Sequence, residues 1–396
     1  MIERIDILLP PANRCGYGVL PYFSRSFLAA LERLGISCRL LGNEDGPTPN
    51  LVGDLLRDTP DCTLSFNGLL PDENNNFFCE RVQIPHVACL VDSPNKFLSM
   101  VQSPLNIITC IDQDWANFFT GLHHHNTFFM PHAVESGFSG DLEGKRPYDV
   151  SFLGTCLDID ELRSTWPDLF GPAVTAVLDA ATEIALADQT TSYLSAFTQA
   201  MDERLRTHGD IDPSTLDLCD VLDNLEFYIR GKDRLELLLS LKDIKVHVFG
   251  TKSGSHGWEK YLKSTKNLEF HGRVPYAEAL DVLTKSRLVI NSCPSIKAGA
   301  HERIFAGFMA GAAVLSNDNS YIRTLFDADG EILLYRHDGY RDAGDQIAAL
   351  LKDEDRRRSM VASARQKVET QHTWDQRAKV LLEHLERVLP PILQQL

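Results

Sequence analysis

A charged triplet at the start of a predicted helix is the part of this sequence whose residue types best suit chemistry. In "LVINSCPSIKAGAHERIF" an apolar run ends near Asn291, a loop of small residues follows, and a helix is predicted from about Ala300. His301, Glu302 and Arg303 occupy the first turn of that helix. In open α/β sheets, ligands bind where the carboxyl end of a strand leads into a helix. The free N–H groups and the dipole of the helix start favour an anion there, so the segment predicts an anion-binding turn.

The side chains around this turn extend the prediction to a ribose phosphate. Lys297 adds a cation before the helix, and Gly299 and Ala300 allow close approach of the backbone. Glu302 is suited to accept hydrogen bonds from a ribose diol, and Arg303 is suited to pair with phosphate. An ordinary helix cap with a surface ion cluster explains the same residues, and the segment alone does not decide between the two.

Glycines follow three further strand-like runs, at points where the chain leaves a strand for a helix. They occur in "GYG" (Gly16, Tyr17 and Gly18), in "FLGT" (with Gly154) and in "HVFGTKSG" (247–254, which includes Lys252). Glycine permits positive φ and leaves backbone amides bare. "GYG" lacks the third glycine and the later acidic residue of a dinucleotide fingerprint, so an ordinary βα turn is the alternative there. Four such exits, spread over both halves, predict a ligand held in a cleft between two domains.

A basic cluster precedes an apolar helix in "FYIRGKDRLELLLSL", which contains Arg230, Lys232 and Arg234. By itself this pattern is typical of a solvated surface. In an acidic protein, beside a glycine-rich cleft, it also suits a diphosphate clamp, because guanidinium groups bind phosphate oxygens in pairs.

Three side chains near predicted strand ends are candidates for a catalytic base. Asp92 in "CLVDSP" follows a strand-like run, and a buried carboxylate there would have a raised pKa suited to a general base. His86 and His132 are rivals, since each lies beside a proline near a strand end. Capping of the next turn is the alternative for Asp92.

Composition places the chain among soluble globular proteins. Of 396 residues, 43% are hydrophobic and 24% are charged, and the net charge is −16, so we expect no nucleic-acid partner. The nine cysteines include no CxxC pair, which argues against a disulfide framework or zinc ribbon and for a reducing compartment. "MIERIDILLPP" lacks a signal-peptide pattern, and no stretch reaches the apolar length expected of a membrane span. These features predict a cytoplasmic protein.

Motifs that often bind metals lack the required context. "HHH" at 123–125 has neither i, i+4 spacing nor surrounding carboxylates, and is predicted to be an exposed loop. DxD triplets begin at Asp158, Asp210 and Asp327, but none directly follows an apolar strand. We therefore expect activity without a bound metal or cofactor.

Strand-like runs alternate with helical segments, which predicts an α/β fold with mostly parallel sheets. The predicted boundaries are a first domain at 1–134, a polar linker at 135–147, a second domain at 148–380 with a strand-free helical insertion at about 157–240, and a final helix at 381–396. The final helix is amphipathic, with both charge signs on its polar face, and closes at Pro390–Pro391. This pattern predicts packing against the body, with the first domain as the candidate surface.

Several segments, in order, resemble CgeB-like glycosyltransferases of the GT-B fold. The segments are "YDVSFLGT", "IRGKDRLELLLSL…VHVFG", "HGRVPYAEAL", "NSCPSIKAGAHERIFAGFMAGAAVLSND" and "HTWDQRA", preceded by the weaker matches "SFNGLL", "PHVACLVDSP" and "MPHAV". The resemblance covers most of the chain except the helical stretch near 157–225. Its most specific parts are "HERIF…GAAVL" and "HTWDQRA".

The resemblance implies two Rossmann-like domains facing across a cleft, with a nucleotide-sugar donor held mainly by the second. It places the nucleobase of the donor near Arg273 and Val274 and the ribose near Glu302. The diphosphate would bind the backbone amides after Lys297, with a cation supplied by Arg230 or Lys252. The acceptor, a glycan, protein or small molecule, would enter near Gly16–Gly18 and Asp92.

One departure from the family bears on stereochemistry. Many retaining GT-B enzymes carry two glutamates separated by seven residues, and if Glu302 is one of them the other falls on Pro294 or Ala310. The missing pair favours inversion with a single base. A nucleotide-sugar epimerase of the same fold and a non-enzymatic sugar- or partner-binding protein are the alternatives. The sequence does not identify the sugar, the nucleobase, the acceptor or the oligomeric state.

Overall fold

The structure, a computed structural model, describes residues 2–10, 17–42, 50–252 and 257–394. The chain divides into two units, which we call unit 1 (Met1–Phe138 and Glu369–Leu396) and unit 2 (Ser139–Val368). Unit 1 therefore takes residues from both ends of the chain. The sequence placed the corresponding boundaries at 134 and 380, and the units meet at 138 and 368.

Unit 1 is built on a parallel sheet. Its strands are β1 (Arg4–Leu8), β2 (Ser37–Leu41), β3 (Cys62–Phe66), β4 (His86–Leu90), β5 (Asn106–Cys110) and β6 (Thr127–Phe129). They lie in the order β2-β1-β3-β4-β5-β6. The helices between them are α1 (Val19–Arg33), α2 (Leu51–Arg57), α3 (Phe78–Val82), a 3-10 helix (Pro94–Gln102) and α4 (Gln113–Gly121). Every residue of β3, β4 and β5 is buried, as expected for parallel strands covered on both faces.

Unit 2 contains a second parallel sheet. Its strands are β7 (Tyr148–Leu153), β8 (Val246–Phe249), β9 (Leu268–His271), β10 (Ser286–Asn291), β11 (Ala313–Asn317) and β12 (Leu333–Tyr335), in the order β12-β11-β10-β7-β8-β9. Its helices are α5 (Ile159–Ala187), α6 (Tyr193–Thr207), α7 (Leu218–Ser240), α8 (Glu259–Leu262), α9 (Tyr276–Thr284), α10 (Glu302–Met309), α11 (Ser320–Leu325) and α12 (Tyr340–Lys352), with 3-10 helices at Pro213–Thr215 and His337–Gly339. The next helix, α13 (Glu354–Gln371), begins in unit 2 and ends in unit 1. The predicted α/β fold with parallel sheets is confirmed.

Side chains alternate across β8 and so separate the two faces of the second sheet. Val246 and Val248 join a hydrophobic core with Leu237 of α7 and Ile347 of α12. Because successive strand residues point to opposite faces, His247 lies on the other face.

The strand-free stretch predicted at about 157–240 forms α5, α6 and α7, which pack on one another. Within α5 the chain kinks at Gly171, whose φ is 78°, between Pro167 and Pro172. Proline cannot donate the helical hydrogen bond and clashes with the preceding turn, which accounts for a kink at this point.

Among the residues described, α5 is the one helix that is long and apolar enough to cross a membrane by length and composition. The sequence predicted no stretch of sufficient apolar length to span a membrane, whereas this helix meets that criterion. This is weak evidence for a membrane, since core helices of soluble proteins pass the same test. Trp166, Val177 and Leu178 of α5 are buried inside the protein.

The last helix, α14 (Trp374–Leu393), belongs to unit 1 and packs on α1. The Trp374 ring lies 5.2 Å from that of Phe23 and 5.7 Å from that of Phe27. A salt bridge of 2.6 Å between Arg33 and Asp375 adds to this contact. The helix does not stop at Pro390 as expected but continues to Leu393, with both prolines in its last turn.

His86 connects two neighbouring strands of unit 1. Its Nδ1 lies 2.8 Å from Thr63 Oγ1, and its Nε2 lies 2.9 Å from Ser65 Oγ. Burial lowers the pKa of His86 to about 3, so the ring is neutral at physiological pH. With both nitrogens engaged inside the sheet, His86 has a structural setting and not that of the catalytic base considered for it.

This setting predicts that acid destabilises unit 1. The unfolded His86 binds a proton near pH 6.5, whereas the folded one does not until about pH 3. The unfolded chain therefore binds more protons in this window, and stability falls as the pH decreases through it. For each pH unit in this window, His86 lowers the free energy of unfolding by at most about 1.4 kcal/mol. Urea unfolding at about pH 7 and pH 5 should show a smaller loss of stability for His86→Gln than for the wild type, and equal losses would contradict this assignment.

Candidate functional site

Glycines bring the ends of β7 and β8 close together in unit 2. The Gly154 N–H donates to the Phe249 carbonyl at 3.0 Å, and the Gly154 carbonyl accepts from Trp258 Nε1 at 3.0 Å. A Cβ at Gly250 would lie 2.3 Å from the Gly154 oxygen, so a side chain does not fit there. A Cβ at Gly154 would lie 3.7 Å from Arg234 Cζ. Arg234 therefore lies at this edge of the sheet.

Two arginines, one helical turn apart on α7, form the centre of the candidate site. Arg234 is 7% exposed, and its Nη1 donates to the Thr155 carbonyl just after β7 at 3.0 Å. Arg230 Nη2 lies 3.4 Å from Oε2 of Glu226, which is 1% exposed. The Nε atoms of both arginines are buried and have no hydrogen-bond partner within the described part of the chain. These buried donors are suited to an anionic ligand.

Electrostatics at this cluster are dominated by positive charge. Burial lowers the pKa of Arg234, and the charges of Arg230 and Arg303 lower it further. An arginine stays protonated under such conditions because its ordinary pKa is above 12. A bound anion would relieve the repulsion among the three guanidinium groups. We call Arg230, Arg234 and Arg303 the arginine cluster.

The start of α10 supplies the third member of the arginine cluster and two neighbours. His301 caps the helix by accepting a hydrogen bond from the Arg303 backbone at 3.3 Å. Glu302 Oε2 lies 2.8 Å from His301 Nδ1, and Arg303 Nη1 donates to Asn291 Oδ1 at 3.3 Å. Burial lowers the pKa of His301, which favours its neutral form. The structure thus brings Gly154, Arg230 and the charged triplet to one edge of the second sheet.

Two asparagines, one at the end of β11 and one just after it, hold the loop that leads to α10, and the sequence analysis did not single them out. Asn317 Oδ1 accepts from the Cys293 N–H at 3.0 Å. Asn319 Nδ2 donates to the carbonyls of Ile296 and Gly299, each at 3.0 Å. The available signal was "SNDNS" at the end of a buried strand, where amide side chains can bind backbone groups.

A buried aspartate, Asp233, was also missed. Its Oδ2 accepts from Ser292 Oγ at 2.6 Å and from Tyr335 OH at 2.7 Å, and its Oδ1 accepts from Tyr340 OH at 2.7 Å. These bonds fix α7 against β10 and β12, and so position the neighbouring Arg234. In the sequence Asp233 is hidden between two basic residues.

Lys297 has a different setting from the one expected. Its ammonium group is buried and donates to the backbone carbonyls of Ala185 at 2.9 Å and Asp188 at 2.7 Å. Both carbonyls lie at the carboxyl end of α5, where a cation also complements the helix dipole. In the structure, Lys297 therefore anchors the end of α5.

Other predicted donor residues lie on loops around the second sheet. Gly299 and Ala300 are buried before α10, Lys252 is exposed after β8, and Arg273 and Val274 lie between β9 and α9, with Arg273 exposed. Their predicted contacts with a donor stay predictions.

The catalytic and acceptor-side candidates belong to unit 1. Asp92 is exposed after β4, not buried as expected, and its Oδ2 accepts from Asn67 Nδ2 at 2.7 Å. His132 is buried, its ring 5.8 Å from that of Phe23. Gly18 has a φ of 70° at the start of α1, directly after Tyr17. Gly16 lies outside the described residues.

One family model matches part of the chain. Residues 232–383 match the family described as glycosyl transferase-like. The matched segment is under half of the chain, and it includes Arg234, the start of α10, Asn317 and Asn319. No curated protein matches the sequence.

Three solved structures share the fold over almost the whole chain. AviGT4, a glycosyltransferase involved in avilamycin A biosynthesis, is 12% identical with a TM-score of 0.54, and the match covers 98% of each chain. Sucrose-phosphate synthase from Thermosynechococcus elongatus is 8% identical with a TM-score of 0.56, covering 98% of this chain and 100% of that one. A glycosyltransferase from Rickettsia africae ESF-5 is 10% identical with a TM-score of 0.50, covering 98% and 99%. The chain has the GT-B glycosyltransferase fold, with two Rossmann-like domains, as predicted.

The buried contacts of Lys297 predict a structural effect that needs no ligand. Lys297→Met removes two charge-assisted hydrogen bonds to carbonyl groups, so the free energy of unfolding should fall by about 2–4 kcal/mol. Lys232→Met is the matched control, because Lys232 makes a salt bridge of 3.2 Å to Glu183, itself exposed, on the same helix α5. A surface pair of this kind contributes at most about 1 kcal/mol. The measurement is urea unfolding of both variants without ligand. An equal loss of unfolding free energy in Lys297→Met and Lys232→Met would contradict the anchoring role of Lys297.

Proposed function

We propose that the protein is a glycosyltransferase that moves a sugar from a nucleoside-diphosphate sugar to an acceptor hydroxyl, by inversion and without a metal ion. The observation that carries the proposal is the arginine cluster, in which Arg230 and Arg234 keep buried Nε donors without partners in the described part of the chain. The glycosyl transferase-like match over 232–383 and the GT-B fold support the same reaction class. The CgeB-like subgroup remains part of the proposal.

A diphosphate suits the arginine cluster better than a group with a single charge. Three guanidinium groups meet here, and Glu226, the carboxylate beside Arg230, lies 3.4 Å from it and offers only partial compensation. Guanidinium groups bind phosphate oxygens two at a time, and the start of α10 adds backbone N–H groups. In a protein of net charge −16, this local positive charge favours a ligand that carries more than one negative charge.

The cluster also has a role in the transfer step. When the bond from the anomeric carbon to the diphosphate breaks, the bonding electron pair leaves with the diphosphate and its negative charge grows. Fixed cations in a buried setting stabilise that developing charge. Three guanidinium groups supply the positive charge that a divalent ion supplies in metal-dependent transferases, which is the reason we propose metal independence.

Asp92 is the proposed base. Inversion needs one group to take the proton from the acceptor hydroxyl as its oxygen attacks the anomeric carbon. An exposed carboxylate held by Asn67 can meet an acceptor that arrives from solvent. His132, the other candidate, is buried and packs on Phe23. The positions eight residues on either side of Glu302 hold Pro294 and Ala310, so the glutamate pair of retaining relatives is not formed.

Donor binding tests the arginine cluster. Calorimetric titration with UDP-, GDP- and dTDP-sugars should find one donor that binds, and Arg234→Gln and Glu302→Ala should each weaken it at least tenfold, about 1.4 kcal/mol. Arg206→Gln is the matched control, since Arg206 is an exposed arginine paired with Glu203 on α6. The proposal fails if none of these donors binds at millimolar concentration, or if the control weakens binding as much as Arg234→Gln does.

The base and the stereochemistry are tested with that donor and its acceptor. Asp92→Asn should lower kcat by about a hundredfold or more and leave donor affinity unchanged, because general-base contributions are of that size. NMR of the first product should show an inverted anomeric configuration, and added Mg²⁺ or Mn²⁺ should not raise the rate. A retained configuration, or full activity of Asp92→Asn, would overturn the proposed mechanism.

The same assay separates the alternatives. Isomerised donor in the absence of acceptor would indicate an epimerase. A donor that binds but is turned over no faster than in buffer, with every acceptor tried, would indicate a binding protein.

A further inference from the structure

Two histidines and a glutamate converge on the sheet face of unit 2 that lies opposite the α7 and α12 core. They are His247 on β8 and Glu269 and His271 on β9, and one ligand atom from each lies within 4.8 Å of the other two. In the parallel register His247 is opposite Glu269, and Glu269 and His271 are two residues apart on one strand. Residues two apart on a strand share a face, so the pairing of β8 with β9 itself assembles the group.

The spacing of the two imidazole nitrogens and the Glu269 carboxylate is close to that of the ligands of a tetrahedral metal ion. His247 Nδ1 and His271 Nε2 are 3.0 Å apart. Glu269 Oε2 lies 3.7 Å from His247 Nδ1, and Glu269 Oε1 lies 3.7 Å from His271 Nε2. Ligand atoms at about 2.0–2.1 Å from a tetrahedral Zn²⁺ are about 3.3 Å from one another. Small movements of the two rings and a rotation of the half-exposed Glu269 carboxylate, which places one of its oxygens between them, would bring three ligand atoms onto one ion.

Aromatic packing holds both imidazoles in place. The His271 ring stacks on Phe249 with centroids 4.4 Å apart and planes at 10°. The His247 ring lies 4.6 Å from Tyr148 of β7. His247 Nε2 is buried and has no hydrogen-bond partner among the residues described, so no contact at that atom forces the ring proton onto Nδ1. The two rings are thus held side by side, and an ion that binds both nitrogens replaces the hydrogen bond that now joins them.

We infer that His247, Glu269 and His271 bind one Zn²⁺ ion, which ties β9, the edge strand of the second sheet, to β8. Two imidazoles and one carboxylate suit zinc and similar transition metals, whereas Mg²⁺ and Ca²⁺ prefer oxygen ligands. Three protein ligands leave a fourth position for water. The proposed ion is structural, and it is separate from the sugar-transfer chemistry, for which the arginine cluster supplies the charge.

Lys245 competes with the ion for Glu269. Its ammonium group lies 2.9 Å from Glu269 Oε2, and its side chain is 59% exposed. It can therefore move into solvent when a metal takes the carboxylate, at the expense of one surface salt bridge, which contributes at most about 1 kcal/mol. This competition yields a distinctive test, because removing Lys245 should strengthen zinc binding.

The experiment uses the tag-free full-length protein, stripped of metal and titrated with Zn²⁺ by calorimetry. We expect one ion to bind at this cluster and to raise the Tm. Glu269→Gln and His271→Ala should each weaken binding at least tenfold, and Lys245→Met should tighten it. With Co²⁺ the wild type should show the visible absorption of four-coordinate cobalt, and the two ligand variants should not.

The matched control removes two other imidazoles. His123→Ala/His125→Ala takes away the exposed histidines of "HHH" in unit 1 and should leave the zinc affinity and the cobalt spectrum unchanged. The inference is overturned if Glu269→Gln binds Zn²⁺ as the wild type does, or if the control variant loses the site instead. Because the Glu269 side chain is half exposed, Glu269→Gln should fold, and it tests the site even if His271→Ala does not fold.

Discussion

The candidate site depends on the burial of guanidinium groups whose charge the fold only partly offsets. Taking a charge out of water costs several kcal/mol unless opposite charges and hydrogen bonds replace the lost hydration. Asp6 in unit 1 meets that requirement, because it is fully buried and accepts from Arg39 Nε at 3.0 Å and Arg4 Nε at 3.3 Å. Arg234 does not, since its Nε has no partner in the described residues and two other guanidinium groups repel it. The charge of Asp6 is thus compensated within the protein, whereas the charge of Arg234 is compensated only in part.

Such an unfavourable arrangement persists only where its surroundings are rigid. Around the arginine cluster the rigid contacts come mostly from uncharged groups: the Asn317 amide oxygen, which accepts, the Asn319 amide nitrogen, which donates, and the hydroxyls that donate to Asp233. They fix the loop before α10 and the middle of α7 without neutralising the arginines. Little ordering is then left to occur on binding, so more of the electrostatic attraction is retained as affinity.

The sequence was sufficient for what depends on local pattern. Buried apolar runs predicted the parallel strands, and glycine after β7 together with the triplet His301–Arg303 predicted one edge of the second sheet. It failed where the outcome depends on distant partners. The sequence predicted Lys297 to be a cation near a phosphate. Its acceptors are instead backbone carbonyls at the carboxyl end of α5, more than a hundred residues earlier in the chain.

The same limit explains the residues that no pattern revealed. His247 and His271 lie in different strands, and no sequence spacing relates them, because the register between β8 and β9 alone sets their distance. Asp92 looked buried because a strand of apolar residues precedes it. The chain has already left the sheet there, and the carboxylate is exposed.

The net charge of the protein and the local charge of the arginine cluster have opposite effects on an approaching anion, and they act over different distances. With 55 acidic and 39 basic residues the protein as a whole repels anions, and salt screens this repulsion beyond about 10 Å. The arginine cluster acts at contact distance and is partly buried, where screening is weak and each interaction is stronger than in water. In the proposed site a multiply charged ligand would gain most from the cluster, because each further phosphate oxygen would meet another guanidinium donor while the long-range repulsion would rise little at physiological salt. The overall acidic charge would therefore lower the background of weak anion binding, and the buried arginines would determine which anion the proposed site holds.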